Sequence, residues 1–129
     1  SECLVGSEMC IRDRFVELAA QLSKLQDDQG FWHASLLDPD SYPSPETSST
    51  ALITYGLAYG LNHHLLDTSY LPVVRKAWKA LTSTVDQNGK VGWVQPIGAD
   101  PKKVTREMTA VYGVGAFLMA GTEIIKLIE

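Results

Sequence analysis

Two stretches without a single charged side chain limit what this chain can fold into. ALITYGLAYGL spans residues 51–61 and TAVYGVGAFLMAG spans 109–121. Both read as helices, and a helix that is apolar all round is expected to be covered all round. Each also carries glycines, Gly56 and Gly60 in the first and Gly113, Gly115 and Gly121 in the second. An interior glycine costs about 1 kcal/mol relative to alanine. The expectation is therefore that neighbouring backbones approach closely at these positions.

Each apolar stretch follows an amphipathic one. Over 12–25, Phe15, Leu18, Ala19, Leu22 and Leu25 recur at three- and four-residue spacing and form one stripe. Over 70–85, Tyr70, Val74, Ala77, Trp78, Leu81 and Val85 share a face, Arg75, Lys76 and Lys79 lie off it, and Pro72 fits only the first turn. The connecting loops repeat as well: DDQGFW (27–32) leads to the first apolar helix and DQNGKVGW (86–93) to the second. Gly30 and Gly89 are 59 residues apart, and Tyr55-Gly56 and Tyr112-Gly113 are 57 apart. A two-helix unit repeated at such a period is a helical hairpin, with the amphipathic helix outside and the apolar helix inside. Closed rings of hairpins are α/α toroids and open rows are solenoids. Two hairpins cannot close a ring, so the expectation is that further protein precedes Arg14.

Composition excludes some classes of function. The chain has 129 residues with 45% hydrophobic and 20% charged, ordinary for a globular domain. A formal charge of −4 leaves no basic patch for a nucleic acid partner. The longest apolar run, 110–118, is about half of what a bilayer span requires, so no membrane partner is expected. The first 14 residues lack the charged and apolar regions of a signal peptide, which leaves the compartment open. Cys3 and Cys10 could form a local disulfide or half of a metal site, but no neighbouring His or second Cys pair completes a ligand set. The run CLVGSEMCIRDR resembles a translation of sequencing-adapter DNA. Residues 1–14 are accordingly set apart as a non-native segment, and 15–129 as the domain.

Chemistry is expected in the long outer-to-inner loops, 26–45 and 86–104. With the first turn of the helix that follows, they bring Trp32, His33, Tyr42, Glu46, Trp93 and Gln95. Aromatic faces beside carboxylate and amide groups suit a carbohydrate; equally, Trp32 and Trp93 could plug the gap between hairpins. The run PETSST (45–50) reads as a cap, with Ser44 at the N-cap, Pro45 at N1 and Glu46 facing the helix dipole. Its four hydroxyl residues also suit an anionic ligand such as a uronic acid carboxylate. His63 and His64 read as a helix C-terminus, and Asp28, Asp38, Asp40 and Asp100 as turn residues.

The segments LQDDQGFWHASLLDPDSYPSPETSSTALITYGLAYGLNHHLLD, YLPVVRKAWKAL, GKVGWVQPIGADP and VYGVGAFLMAGTEI resemble the C-terminal part of glycoside hydrolase family 105. These are bacterial unsaturated rhamnogalacturonyl hydrolases, related to the unsaturated glucuronyl hydrolases of family 88. The resemblance covers residues 14–129 and implies an all-α fold, the C-terminal hairpins of an (α/α)6 barrel. It implies that a terminal 4,5-unsaturated uronic acid is removed from pectin (rhamnogalacturonan) oligosaccharides. An aspartic acid protonates the double bond, water adds, and the hemiketal releases the next sugar, with no metal or organic cofactor. The family's catalytic aspartates belong to the N-terminal half of the barrel and match no position here, so no catalytic residue is assigned and the piece alone is expected to be inactive. Loop position and the resemblance make Trp32, His33, Glu46, Thr47, Ser48 and Gln95 the candidate substrate-binding residues. The alternatives are a helical-repeat binding module without catalysis, or another α/α toroid such as a polysaccharide lyase or terpenoid cyclase.

Overall fold

The structure, a computed structural model, describes residues 8–98 and 100–129. Four helices follow in order: α1 (Glu8–Lys24), α2 (Thr47–Asn62), α3 (Leu71–Ser83) and α4 (Val111–Ile128). Short 3-10 turns lie at Pro39–Ser41, Thr68–Tyr70 and Pro101–Lys103. Among the described residues the only β pairing is an isolated antiparallel bridge between Val85 and Val91.

The expected outer–inner–outer–inner order is present. The inner helices α2 and α4 make the most extensive helix–helix contact, and α3 packs on α2. Leu57, Ala58 and Leu61 of α2, Val74 and Ala77 of α3 and Ile124 of α4 form one buried core cluster, and Ala51 of α2, Leu81 of α3 and Ala116 and Ala120 of α4 form a second. Trp78 closes the α3–α4 seam against Phe117, with ring centroids 5.2 Å apart.

The hairpin repeat is visible in the backbone. Asp27 N–H donates to Phe31 O at 3.0 Å, and Asp86 N–H donates to Lys90 O at 2.9 Å. Gly30 N–H donates to Asp27 O as Gly89 N–H does to Asp86 O. These equivalent bonds are offset by the same 59 residues that separate Gly30 from Gly89. Both glycines have positive φ, +105° and +82°, a region that glycine enters without a Cβ clash.

Three expectations need correction. First, the helix limits differ. α1 begins at Glu8, before Arg12. The reading of Cys3 lies outside the described residues. α4 continues past Gly121 to Ile128 and is 18 residues long, enough by length and composition alone to cross a membrane. The run ending at Leu118 understated it, because Met119, Ala120 and Gly121 are apolar as well, and Thr122, Glu123 and Lys126 then interrupt the sequence pattern without breaking the helix. Second, the inner helices are not covered all round within this chain. Leu52 on α2 is 53% exposed, and Leu118 and Ile125 on α4 are 61% and 57% exposed, because each inner helix has only one inner neighbour here. Third, the helical glycines meet side chains and not backbones. A Cβ at Gly60 would lie 2.8 Å from Leu66 Cδ1, one at Gly113 2.5 Å from Val94 Cγ2, and one at Gly121 3.2 Å from Trp78 Cη2. Gly56 and Gly115 face open space.

Candidate functional site

Both outer-to-inner loops emerge at the end of the hairpins where α2 begins, and α2 ties them together. Its N-cap is Glu46, not Ser44: the Glu46 backbone is extended, and its carboxylate accepts from Ser48 N–H at 3.2 Å and Ser49 N–H at 2.7 Å. The Ser44 carbonyl is engaged elsewhere, by His33. Glu46 Oε1 also accepts from Gln95 N–H of the second loop at 3.3 Å. Next to it, Thr47 N–H donates to Trp93 O at 2.9 Å and Thr47 Oγ1 donates to Gly92 O at 2.7 Å. One turn of helix therefore holds the second loop by three bonds.

The first loop is held from the same turn. Trp32 N–H donates to Thr50 Oγ1 at 3.1 Å, and the hydroxyls of Ser49 and Thr50 both reach Trp32 O. The Trp32 indole has no exposed surface, and its N–H donates to Leu22 O at 2.7 Å. Its bulk fills the space between α1, α2 and α3, the plug between elements weighed for it above. All four hydroxyls from Thr47 to Thr50 thus have partners within the chain, and the α2 N-terminus is occupied by a carboxylate from the chain itself. An anionic ligand at that helix end would have to displace Glu46.

His33 sits at the neck of the first loop, half-buried. Its Nδ1 faces the carbonyls of Tyr42 (3.0 Å) and Ser44 (3.1 Å), and since carbonyls only accept, Nδ1 carries a proton. Nε2 meets Asp27 Oδ2 at 2.8 Å. Asp27 Oδ1 in turn accepts from Gly30 N–H and Phe31 N–H. Asp86 does the same at the equivalent turn: the backbone N–H groups of Lys90 and then Asn88 hold its carboxyl below the usual carboxylate range. His33 thus clips the start of the loop to its far end.

Of the six candidates, Trp32, Glu46 and Thr47 are buried, whereas His33, Ser48 and Gln95 are half-buried and reach the surface at the loop end. The structure brings Glu46, Thr47, Ser48 and Gln95 into one bonded cluster, beside the Trp32–His33 segment. Sequence reasoning named Ser49 and Thr50 only as part of the PETSST run, and it missed Asp27 and Tyr112, whose hydroxyl donates to Gln95 O. The 59-residue match of Asp27 with Asp86 was the signal for the first. Among the described residues no group of three or more His, Cys, Asp or Glu side chains is placed to hold a metal. His63 caps α2 and stacks on Tyr59 at 4.0 Å, and His64 adopts the left-handed region, φ 56°.

Outer and inner helices in hairpins, with long loops gathered at one end around a polar cluster, define a hairpin-repeat protein whose loops offer a candidate ligand surface. The chain belongs to glycosyl hydrolase family 88, whose model matches residues 6–128. An unsaturated 3S-rhamnoglycuronyl hydrolase of Formosa agariphila is 45% identical over 116 residues, which cover 89% of this chain and 31% of that protein. A solved polysaccharide lyase superposes with TM-score 0.89 and 41% identity over 97% of this chain and 37% of its own. A solved family 88 protein from Bacteroides vulgatus does so with TM-score 0.81 and 35% identity, covering 95% and 37%. The chain therefore spans 31% to 37% of the length of these relatives. Its hairpins are those of the (α/α)6 toroid.

Proposed function

We propose that the whole protein removes a terminal 4,5-unsaturated uronic acid from a rhamnose-containing oligosaccharide by hydrating the double bond. The observation that carries this reading is the family match across residues 6–128, supported by a relative named an unsaturated 3S-rhamnoglycuronyl hydrolase. That name favours a rhamnoglycuronyl oligosaccharide over the pectin fragment first inferred. Proton donation to the double bond and activation of water are general acid/base steps, and no residue of this chain is assigned to them. The role of this chain is to build one side of the binding surface. His33, Ser48 and Gln95 reach the ligand, while Trp32, Glu46 and Thr47 hold the backbone that presents them.

The polysaccharide lyase neighbour supports a second reading, and the two differ in sign. A lyase creates a C4–C5 double bond by elimination, whereas this hydrolase consumes one. Absorbance in the ultraviolet band of the unsaturated uronate should fall with the full-length protein on a lyase digest. A rise on the undigested polymer would replace the hydrolase with the lyase. Within the hydrolase reading, S48A and Q95A are each expected to raise KM or lower turnover by about tenfold, the effect of losing one substrate contact. Wild-type kinetics would remove that residue from the site.

A further inference from the structure

Trp93 combines an unfavourable backbone with a half-buried side chain that lies outside both core clusters. Its φ is +57°, a region where a bulky residue is an outlier and where strain often accompanies function. The backbone has no freedom to relax. On one side Gly92 N–H donates to Thr84 O at 3.0 Å and Gly92 O accepts from Thr47 Oγ1 at 2.7 Å. Trp93 O accepts from Thr47 N–H at 2.9 Å. On the other side Val94 N–H donates to Met108 O at 3.0 Å and Gln95 N–H donates to Glu46. Gly92 is pressed so closely to the Arg106 carbonyl that a Cβ would lie 2.0 Å from that oxygen. Glycine or asparagine would occupy position 93 with less strain, yet the chain carries its largest side chain there.

Neither core cluster includes the indole of Trp93. Trp32 is fully buried with its N–H bonded, and Trp78 lies against Phe117 and Gly121. Trp93 is half-buried and belongs to neither core cluster, and among the described residues its indole N–H has no hydrogen-bond partner. It sits at the α2 N-terminus, two positions from Gln95. We infer that Trp93 is a stacking platform for a sugar ring of the bound oligosaccharide, its indole N–H left for a hydroxyl. The inference rests on the carbohydrate reading above. An amphipathic aromatic on a pinned backbone suits this use: it gives a large apolar face at little entropic cost, with a polar edge beside it.

The test uses the full-length protein with W93L, which keeps bulk without an aromatic face, and W93F, which keeps the face. An unsaturated rhamnoglycuronyl disaccharide is the substrate, and its saturated counterpart is the binding probe. W93L is expected to raise KM about tenfold with kcat within about threefold, since a stacked face binds ground and transition states alike. W93F should recover most of that loss. A wild-type KM in W93L overturns the inference. So does a W93F as impaired as W93L with an equal fall in Tm, which would make Trp93 a packing residue. If the wild type leaves the double bond intact but binds the saturated sugar in a Trp93-dependent way, the hydrolase reading fails and the platform stands. Wild type that binds neither sugar overturns both.

Discussion

Glu123 places a carboxylate on the face of α4 that meets α2, 4% exposed. Lys126 Nζ and Asn62 Nδ2 each donate to it at 2.8 Å, and Asn62 also donates to Glu123 O at 2.9 Å. These side-chain bonds, that from Lys126 first, hold the Glu123 carboxyl below its ordinary value of 4.5. A carboxylate depressed in the folded state contributes stability that is present above its unfolded value. That stability is lost as pH falls through the folded one. In the full-length protein, E123Q should therefore unfold at lower urea than wild type at about pH 7, and the gap should narrow as pH falls below the ordinary carboxylate value of 4.5 and wild-type Glu123 becomes protonated. A gap of constant size across that range would refute the coupling. This residue was not legible in the sequence. It lies beyond Gly121, where the helix was expected to end, and its partner Asn62 lies 61 positions earlier. Nothing local marks a glutamate in an apolar helix as a bridge to another one.

At the scale of the element, the first turn of α2 shows why a capping pattern and a ligand pattern look alike before the fold is known. Proline, a carboxylate and four hydroxyls suit a bound anion as well as a stitched pair of loops. The outcome depends on Trp32, Gly92, Trp93 and Gln95, which come from outside the helix. The cap itself was misplaced because a glutamate side chain is long enough to fold back over its own helix end, which lets position 46 do what serine was expected to do at 44. Removing that carboxylate should cost both the cap and the tie to Gln95. E46A is expected to lose about 1–2 kcal/mol, the range for a lost N-cap, and to lower Tm by a few degrees. E46D would shorten the reach and recover only part of the loss. Melting of E46A together with wild type would mean that the seam between the loops is held by Thr47 alone.

On the scale of the whole chain, the architecture was legible because it repeats. Each hairpin carries its own turn at a 59-residue offset, and charge is absent from the stretches 51–61 and 109–121 that make up most of the two inner helices. What the repeat could not convey is how much of each inner helix this chain covers by itself. Leu18 and Leu52 flank an apolar groove between α1 and α2. At the other side, Leu118 and Ile125 lie beside a second groove against Trp78 and Phe117. Exposed apolar surface on both sides is costly at about 25 cal/mol for each Å² left in water, and patches of this kind drive association in free domains. The relatives extend well beyond the part matched here, and a toroid places neighbouring hairpins at both of these sides. The 129-residue chain expressed by itself is therefore expected to bind the dye ANS and to sediment as more than a monomer. The full-length protein should do neither. A monomeric, dye-silent 129-residue chain would show that α1 and α4 reposition to cover the grooves, and the two hairpins would then be a self-sufficient unit and not an arc of a ring.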